Sequence, residues 1–245
     1  MLRIRRRSLI RHTRAVDVRF VDCRDARAYL AGHLPGAVHA DPERDLTGTD
    51  GGGRHPLPTA KAFAAWASQA GIGPEVLVVG YDDGTGWAAR LWWLLRHFGH
   101  DAAAVLHFEA WQGPLRGGEE TVDPAQFEPR PRHDDIATVD ELLARLDDPA
   151  LVLVDARAAE RWRGEVEPID KVAGRIPGAR NLPFGEAVPP PPELLEAEEL
   201  VVYCGSGVTA CVDLLALTLA GRPDARLYPG SWSEWSSLEL PLERG

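Results

Sequence analysis

The chain contains the same sequence pattern twice. Residues 21–37, VDCRDARAYLAGHLPGA, and residues 154–179, VDARAAERWRGEVEPIDKVAGRIPGA, share the start VDxR and the end (L/I)PGA. Further on, EVLVVGYDDGTGWAARLWWLL at 75–95 parallels EELVVYCGSGVTACVDLLAL at 198–217. The period is far longer than the roughly 20–50 residues of solenoid repeats, so it indicates duplication of a whole domain.

Each copy alternates short β-branched runs with helical patterns, which predicts an α/β fold of two domains with mostly parallel sheets and helices on both faces. We predict strands at 18–22, 76–81, 103–106, 151–154, 200–203 and 226–228. Helices are predicted at 59–70, 86–98, 138–146 and 208–220. The polar, proline-rich segment 118–135 reads as a linker between domains at 1–117 and 136–245.

Charge and cysteine content narrow the classes of partner. A net charge of -10 and a pI near 5.3 argue against nucleic acid or an anionic membrane as partner. Three cysteines without CxxC or Cys/His ligand spacing favour reduced thiols in the cytoplasm and make a structural metal site or disulfides unexpected. The basic segment 1–14 has no long apolar continuation, so we interpret it as neither a signal peptide nor a membrane span.

The two copies are not equivalent. The first has about twenty extra residues after its PGA, rich in glycine and proline, and the second has a nine-residue insert around WRGEVEPID. At the turn after the matching buried strand, the second copy has Cys204 where the first has Asp82. Only the second copy can perform thiol chemistry on this turn.

Cys204 has the setting of a nucleophile. It follows a predicted parallel strand, where open sheets collect ligands, and precedes a helix. The glycine-rich turn Gly205–Gly207 should aim several N–H groups into one anion-binding concavity, which favours a thiolate. Cys23 and Cys211 fit buried structural positions better.

Two reactions use a cysteine in such a loop. Phosphate-ester hydrolysis by a CxxxxxR pattern needs an arginine six positions after the cysteine, but Ala210 stands there. Sulfur transfer needs a nucleophile that accepts sulfur and a loop that stabilises both the thiolate and the persulfide. The Cys204 loop offers both.

These residues resemble a known family. VDxR with GHLPGA, the YCGSGVTA loop and YPGSWSEW near the C-terminus resemble tandem-domain rhodaneses over nearly the whole chain from about residue 16. Within that family, CRKGVT loops resemble thiosulfate sulfurtransferases and CGSGVT loops, as at 204–209, resemble 3-mercaptopyruvate sulfurtransferases. The resemblance implies a catalytic C-terminal domain, an inactive N-terminal copy and a site between them.

The resemblance also implies roles for single residues. His55, backed by Glu43, or by Asp41 as the nearby alternative, would join Ser206 in a proton relay to the pyruvate enolate. Arg161 would hold the substrate carboxylate. The remaining residues expected to bind substrate are those of the cysteine loop: Gly205, Gly207, Val208 and Thr209.

The chain departs from the family at two positions. Ile169 stands where mercaptopyruvate enzymes often have a second arginine, and Arg175 replaces the usual histidine of GHIPGA. Arg163, Arg175 or Arg180 could substitute for that arginine, or the substrate could be held more loosely. This weakens the choice of mercaptopyruvate over thiosulfate.

Other residues near the predicted site have two readings. Tyr228, Trp232 and Trp235 could wall the pocket or pack in the core. For Asp155 and Arg157 we expect structural hydrogen bonds.

The sequence therefore predicts a ping-pong sulfurtransferase without cofactor or metal. Its partners would be a small-molecule sulfur donor and a thiol acceptor such as thioredoxin or glutathione, or cyanide. Three alternatives stay open: thiosulfate as the donor, a persulfide carrier or redox-sensing module without small-molecule turnover, and a structural binding protein.

Overall fold

The computed structural model describes residues 17–245, so the basic segment 1–14 lies outside the described residues. The first half contains four strands and three α-helices. In chain order these are β1 (Asp17–Asp22), α1 (Ala26–Ala31), β2 (Val38–His39), α2 (Ala60–Gln69), β3 (Val76–Asp82), α3 (Trp87–His97) and β4 (Ala103–His107). A 3₁₀ turn, Phe108–Ala110, follows β4.

The second half repeats this order and adds two short helices. Its elements are α4 (Val139–Ala144), β5 (Leu151–Asp155), α5 (Ala159–Trp162), β6 (Arg180–Asn181), α6 (Pro192–Leu195), β7 (Glu199–Tyr203), α7 (Ala210–Leu219), β8 (Arg226–Leu227) and α8 (Ser231–Trp235).

Each half builds one four-stranded parallel sheet. The strand orders are β2-β1-β3-β4 and β6-β5-β7-β8, so the central strand pair is β1–β3 in one half and β5–β7 in the other. Because all strands run the same way, their carboxyl ends share one edge of each sheet. Asp82 and Cys204 both lie at that edge, Asp82 as the last residue of β3 and Cys204 directly after β7.

Helices cover both faces of the second sheet. Val152, Val154 and Val202 face the core that contains α7, while Leu153 and Val201 face the aromatic side chains of α8. This alternation follows from the two-residue period of a strand and explains the apolar run LVVY. The predicted two-domain α/β class is confirmed.

Most predicted ranges match the structure closely, and β8 agrees with the predicted strand 226–228. The elements that were not predicted are short: α1, β2, α5, β6, α6 and α8. The predicted helix 208–220 begins at Ala210, because the N–H groups of Cys211 and Val212 bond three residues back, to the carbonyls of Val208 and Thr209. The predicted helix 138–146 ends at Ala144, where the Arg145 N–H likewise bonds three residues back.

The predicted linker is irregular but attached along its length. Among residues 118–135 there is no helix or strand, yet the N–H of Ala125 bonds to the Ser68 carbonyl and that of Arg130 to the Phe98 carbonyl. Phe127 is buried in the core of the first domain. The two domains share one apolar core, which runs through α3 and α7.

Within residues 17–245, no helix combines the length and the apolar character needed to cross a bilayer.

Candidate active site

Cys204 is held in place by its own loop and by the loop before α8. Its side chain is almost fully covered, with 1% exposed. The backbone N–H of Gly207 donates to Cys204 Sγ at 3.1 Å, while the Cys204 N–H donates to Ser231 Oγ at 3.1 Å. Ser231 Oγ in turn donates to the Tyr228 carbonyl. The sulfur therefore has a fixed position with a hydrogen-bond donor already aimed at it.

The cysteine loop carries further N–H groups without a protein partner. Within the described chain, the N–H groups of Gly205, Ser206, Val208 and Thr209 reach no acceptor. Gly207 has a φ of 78°, and a Cβ there would lie 2.6 Å from the Pro229 carbonyl oxygen, so glycine is required. The loop thus offers the anion-binding concavity that its sequence predicts.

The same turn of the first domain holds an anion of its own. Asp82 carboxylate oxygens accept the N–H of Gly84 at 3.0 Å, the N–H of Ala88 at 2.9 Å and the hydroxyl of Thr85 at 3.3 Å. The duplicated fold therefore positions N–H groups around a negative group at this turn. In the second domain, the sulfur of Cys204 takes the place of the Asp82 carboxylate and accepts the Gly207 N–H.

The predicted relay residues meet across the domain boundary. His55 Nδ1 lies 2.7 Å from Ser206 Oγ, and His55 Nε2 lies 3.3 Å from Glu43 Oε1. Asp41 instead accepts the backbone N–H groups of Glu43 and Arg44, so it shapes the turn that carries Glu43. Of the two predicted acids, Glu43 is the one in contact with His55, although its side chain is 70% exposed.

The surroundings of His55 favour a neutral imidazole. Its side chain is only 20% exposed and packs edge-on against Trp87. Burial lowers the pKa of His55; Glu43 opposes this shift, and Arg54 and Arg90 add to it. The contacts assign Nε2–H toward Glu43, which leaves Nδ1 to accept the Ser206 hydroxyl proton.

Arg161 lies beside the cysteine loop, as predicted. A Cβ on Gly205 would be 3.5 Å from both Nη1 and Nη2 of Arg161. Arg161 Nη2 also lies 2.6 Å from Glu167 Oε1 and 3.4 Å from Asp170 Oδ2, and both carboxylates are buried. The two carboxylates therefore hold the Arg161 guanidinium next to Gly205, the residue that follows Cys204.

None of the arginines offered as substitutes at Ile169 lies in this site. Ile169 itself is 58% exposed. Arg163 pairs with an exposed neighbouring glutamate, Arg175 stacks on an indole and pairs with a carboxylate near the C-terminus, and Arg180 is exposed on β6. Those three candidates are wrong. Arg54 of the first domain is there instead, with Nη2 3.0 Å from a Gly205 Cβ position.

Sequence reasoning also missed Arg90, on α3. Its side chain is fully buried, and it donates to the carbonyls of Gly207 at 3.1 Å and His55 at 3.0 Å. Burial lowers the pKa of Arg90, while the thiols of Cys211 and Cys204 raise it. The Arg90 guanidinium of the first domain thus connects the cysteine loop to the segment that carries His55. The apolar pattern of α3 hid it, since an arginine in WAARLWWLL reads as an exposed helix position.

The remaining candidates are structural. Tyr228, Trp232 and Trp235 lie in the core of the second domain, so of their two readings core packing is the one observed. Asp155 accepts hydrogen bonds from the backbone N–H, Nε and Nη2 of Arg157, as expected.

Cys23 and Cys211 are fully buried, as their sequence positions suggest. Burial raises the pKa of Cys23 well above its usual range and that of Cys211 to about 12, so both stay protonated thiols at neutral pH.

Comparison with known proteins agrees with this geometry. The model of the rhodanese-like domain matches residues 6–113 and again 138–238. A Pseudomonas aeruginosa protein named "Probable 3-mercaptopyruvate sulfurtransferase" is 43% identical, over 89% of this chain and 89% of its own. A Mycobacterium tuberculosis protein named "Putative thiosulfate sulfurtransferase SseB" is 39% identical, over 89% of this chain and 85% of its own.

A solved structure shows the same architecture. SseA from Escherichia coli, described as a 3-mercaptopyruvate sulfotransferase with the "Rhodanese" fold, superposes with a TM-score of 0.75 at 31% identity. The match covers 89% of this chain and 93% of SseA. The family model matches the chain twice in tandem, the relatives align over most of their length, and the architecture is shared. The chain therefore belongs to the rhodanese family of sulfurtransferases.

Proposed function

We propose that this enzyme moves sulfur from 3-mercaptopyruvate to a thiol or to cyanide through a persulfide on Cys204. The observation that carries the proposal is the hydrogen-bonded pair Ser206–His55, 2.7 Å apart, on the loop of the nucleophile. A pair of this kind serves a leaving group that needs a proton, and the carbon leaving group of 3-mercaptopyruvate needs one.

In the first half-reaction, the Cys204 thiolate attacks the sulfur of 3-mercaptopyruvate. An S–S bond forms, the C–S bond breaks, and its electron pair passes to the pyruvate enolate. The enolate carbon takes up one proton, and the new persulfide loses the proton that the donor's thiol carried. The products are pyruvate and a Cys204 persulfide anion, and atoms and charge balance.

The site residues divide this work. Neutral His55 accepts, through the Ser206 hydroxyl, the proton that the donor's thiol gives up, and returns it by the same route to the enolate carbon, while Glu43 orients the imidazole. The loop N–H groups of residues 205, 207, 208 and 209 stabilise the thiolate and the persulfide. Arg161 binds the substrate carboxylate beside Gly205.

In the second half-reaction, an acceptor attacks the outer sulfur of the persulfide. A thiolate, such as that of thioredoxin or glutathione, becomes a persulfide, and cyanide becomes thiocyanate. In both cases the S–S bond breaks and the Cys204 thiolate returns. The free thiols of Cys23, Cys204 and Cys211 support a reducing compartment, which we propose is the cytoplasm.

Thiosulfate is the second candidate donor, and one observation favours it. Two guanidinium groups, of Arg54 and Arg161, lie beside Gly205 and could meet a dianion. The leaving group of thiosulfate is sulfite, which needs no proton. The Ser206–His55 pair would therefore have no role in a reaction with thiosulfate.

Steady-state kinetics with both donors and cyanide as acceptor separates the two candidates. We expect a higher kcat/KM for 3-mercaptopyruvate. We also expect Ser206→Ala to lower that value by roughly 10²-fold, the size of a lost proton-transfer group, while the thiosulfate reaction changes little. A preference for thiosulfate that Ser206→Ala leaves intact would refute the proposed donor.

A further inference from the structure

Two arginines from different domains converge on the residue after the nucleophile. At Gly205, a Cβ would lie 3.0 Å from Arg54 Nη2 and 3.5 Å from each terminal nitrogen of Arg161. Arg54 belongs to the glycine-rich insert of the first domain and Arg161 to α5 of the second. The space in front of Gly205 is therefore bordered by two forked cations.

One carboxylate already bridges the two guanidinium groups. Asp170 Oδ1 forms an ion pair with Arg54 Nη1, and Asp170 Oδ2 lies 3.4 Å from Arg161 Nη2. Asp170 is largely buried, whereas Arg54 and Arg161 keep part of their side chains exposed. The two arginines can thus share one carboxylate and still present donors to the open side.

Arg54 is held in place through its backbone. Its N–H donates to Ser233 Oγ at 3.0 Å, which joins the insert to α8. The next residue, His55, contacts Ser206. A group bound by Arg54 therefore lies beside the proton relay.

We propose that Arg54 is a substrate-binding residue that holds the donor's carboxylate together with Arg161, in place of the arginine missing at Ile169. This inference rests on the proposed function for the identity of the donor, a 2-oxo acid that carries a thiol. The inactive domain then supplies both half of the carboxylate clamp and the histidine of the relay.

The test compares two donors that differ only in the carboxylate. Mercaptoacetone has the same thiol and ketone as 3-mercaptopyruvate, with a methyl group in place of the carboxylate, so it also leaves as an enolate, that of acetone. We expect Arg54→Gln to lower kcat/KM for 3-mercaptopyruvate by roughly 10- to 100-fold, mainly through KM, and to leave mercaptoacetone nearly unchanged. Arg54→Lys should restore part of the loss, because it keeps the charge without the fork.

Two further variants separate substrate binding from structure. Arg163→Gln removes an exposed arginine outside the site and should leave both donors unaffected. Asp170→Asn removes the carboxylate that anchors both guanidinium groups, so KM for 3-mercaptopyruvate should rise while the reaction with mercaptoacetone changes little. An equal loss for both donors in Arg54→Gln or in Asp170→Asn would overturn the inference.

Binding of pyruvate keeps this test independent of turnover. Ligand-observed NMR on the resting enzyme should show weaker pyruvate binding in Arg54→Gln than in the wild type. If the wild type fails to use 3-mercaptopyruvate, the proposed function falls, yet weaker pyruvate binding still supports the carboxylate clamp. Equal pyruvate binding by both proteins would overturn it.

Discussion

At the scale of single residues, Asp82 and Cys204 stand at equivalent turns, and both side chains accept backbone N–H groups there. The Asp82 carboxylate accepts backbone N–H groups from Gly84 and Ala88, and Cys204 Sγ accepts one from Gly207. Both turns precede a helix of ten or more residues, α3 or α7. The fold supplies the donors in both halves, and the residue at the turn decides whether chemistry follows.

His55 gives the reaction a dependence on pH. Because burial lowers its pKa below the usual value near 6.5, the imidazole is neutral at pH 7 and can accept the Ser206 proton. As pH falls through that lowered pKa, His55 becomes charged and the relay stops. We expect His55→Asn to slow the 3-mercaptopyruvate reaction at pH 7 by roughly 10²-fold. A kcat/KM profile from pH 5 to pH 8 checks this, and an unchanged rate at pH 7 would contradict it.

Asp213 is a buried acid that the proposed mechanism does not use. It is 0% exposed on α7, and neither carboxylate oxygen has a hydrogen-bond partner among residues 17–245. Burial raises its pKa well above the usual range, and Cys204 and Asp155 add to the shift. The folded state therefore binds this proton more tightly than the unfolded state, and stability falls as pH rises above about 4.

Replacing Asp213 should stabilise the protein at neutral pH. We expect Asp213→Asn to raise the free energy of unfolding by about 1 kcal/mol or more at pH 8, and by less at pH 5. Urea unfolding at the two pH values measures both differences. The same difference at pH 5 and pH 8 would mean that the carboxyl does not titrate as described.

Cys204 was predicted from its local setting, whereas the roles of Ser206, His55 and Arg161 were predicted through the resemblance to a known family. Cys204 and Ser206 lie in a glycine-rich turn, and His55 lies in the insert that breaks the repeat. Neither route singled out Arg54 or Arg90, because Asp170 and Gly207, the partners that join them to the second domain, are more than a hundred residues away in sequence. An arginine's role depends on what it touches, and its neighbours in sequence do not reveal that.

At the scale of elements, the insert of the first domain packs closely against the start of α8, and this contact positions its side chains. Gly53 has a φ of 82°, and a Cβ there would lie 2.5 Å from the Gly230 carbonyl oxygen. The next two residues are Arg54 and His55, so their position depends on this close approach. Glycine is therefore needed here for both its backbone conformation and its size.

Gly53→Ala should displace the insert. We expect kcat/KM to fall by roughly tenfold or more, since a misplacement of about 1 Å can cost 10²-fold in rate. Gly36→Ala is the matched control, because Gly36 has a φ of 75° but open space around its Cβ position. Both variants should lose roughly 1–2 kcal/mol of stability through backbone strain. If the two variants also lost activity equally, docking would not be the cause.

Element length explains most of the prediction outcomes, although the two-residue strand β8 was predicted, at 226–228. The central strands β1, β3, β5 and β7 are five to seven residues long, and the last three are mostly apolar, which is enough for a pattern. The edge strands β2 and β6 have two residues each, and α5 and α6 have four. Segments this short show no period, and tertiary contacts fix them.

At the scale of the whole molecule, the two domains form one site as well as one core. Helices α3 and α7 pack against each other, and Arg90 on α3 bonds to the Gly207 and His55 carbonyls. The thiol and Ser206 lie in one domain, and His55, Glu43 and a neighbouring guanidinium come from the other.

Arg90→Met should therefore weaken the reaction with every donor. Two buried carbonyls lose a charged donor, at a cost of about 1–3 kcal/mol each, and both loops loosen. We expect kcat/KM for 3-mercaptopyruvate and for mercaptoacetone to fall by similar factors, unlike the selective loss in Arg54→Gln. Arg96→Met, on the same helix but paired with the exposed Asp101, should keep both rates. A selective loss in Arg90→Met would contradict a purely positioning role.

Mass spectrometry of the intact protein tests the central claim most directly, by asking where the sulfur goes. After exposure to 3-mercaptopyruvate without an acceptor, the wild type should gain the mass of one sulfur atom, and peptide mapping should place it on Cys204. Cyanide should remove it, and Cys204→Ser should never gain it, although Cys23 and Cys211 are still present. Absence of the added sulfur in the wild type, or its presence in Cys204→Ser, would contradict the account.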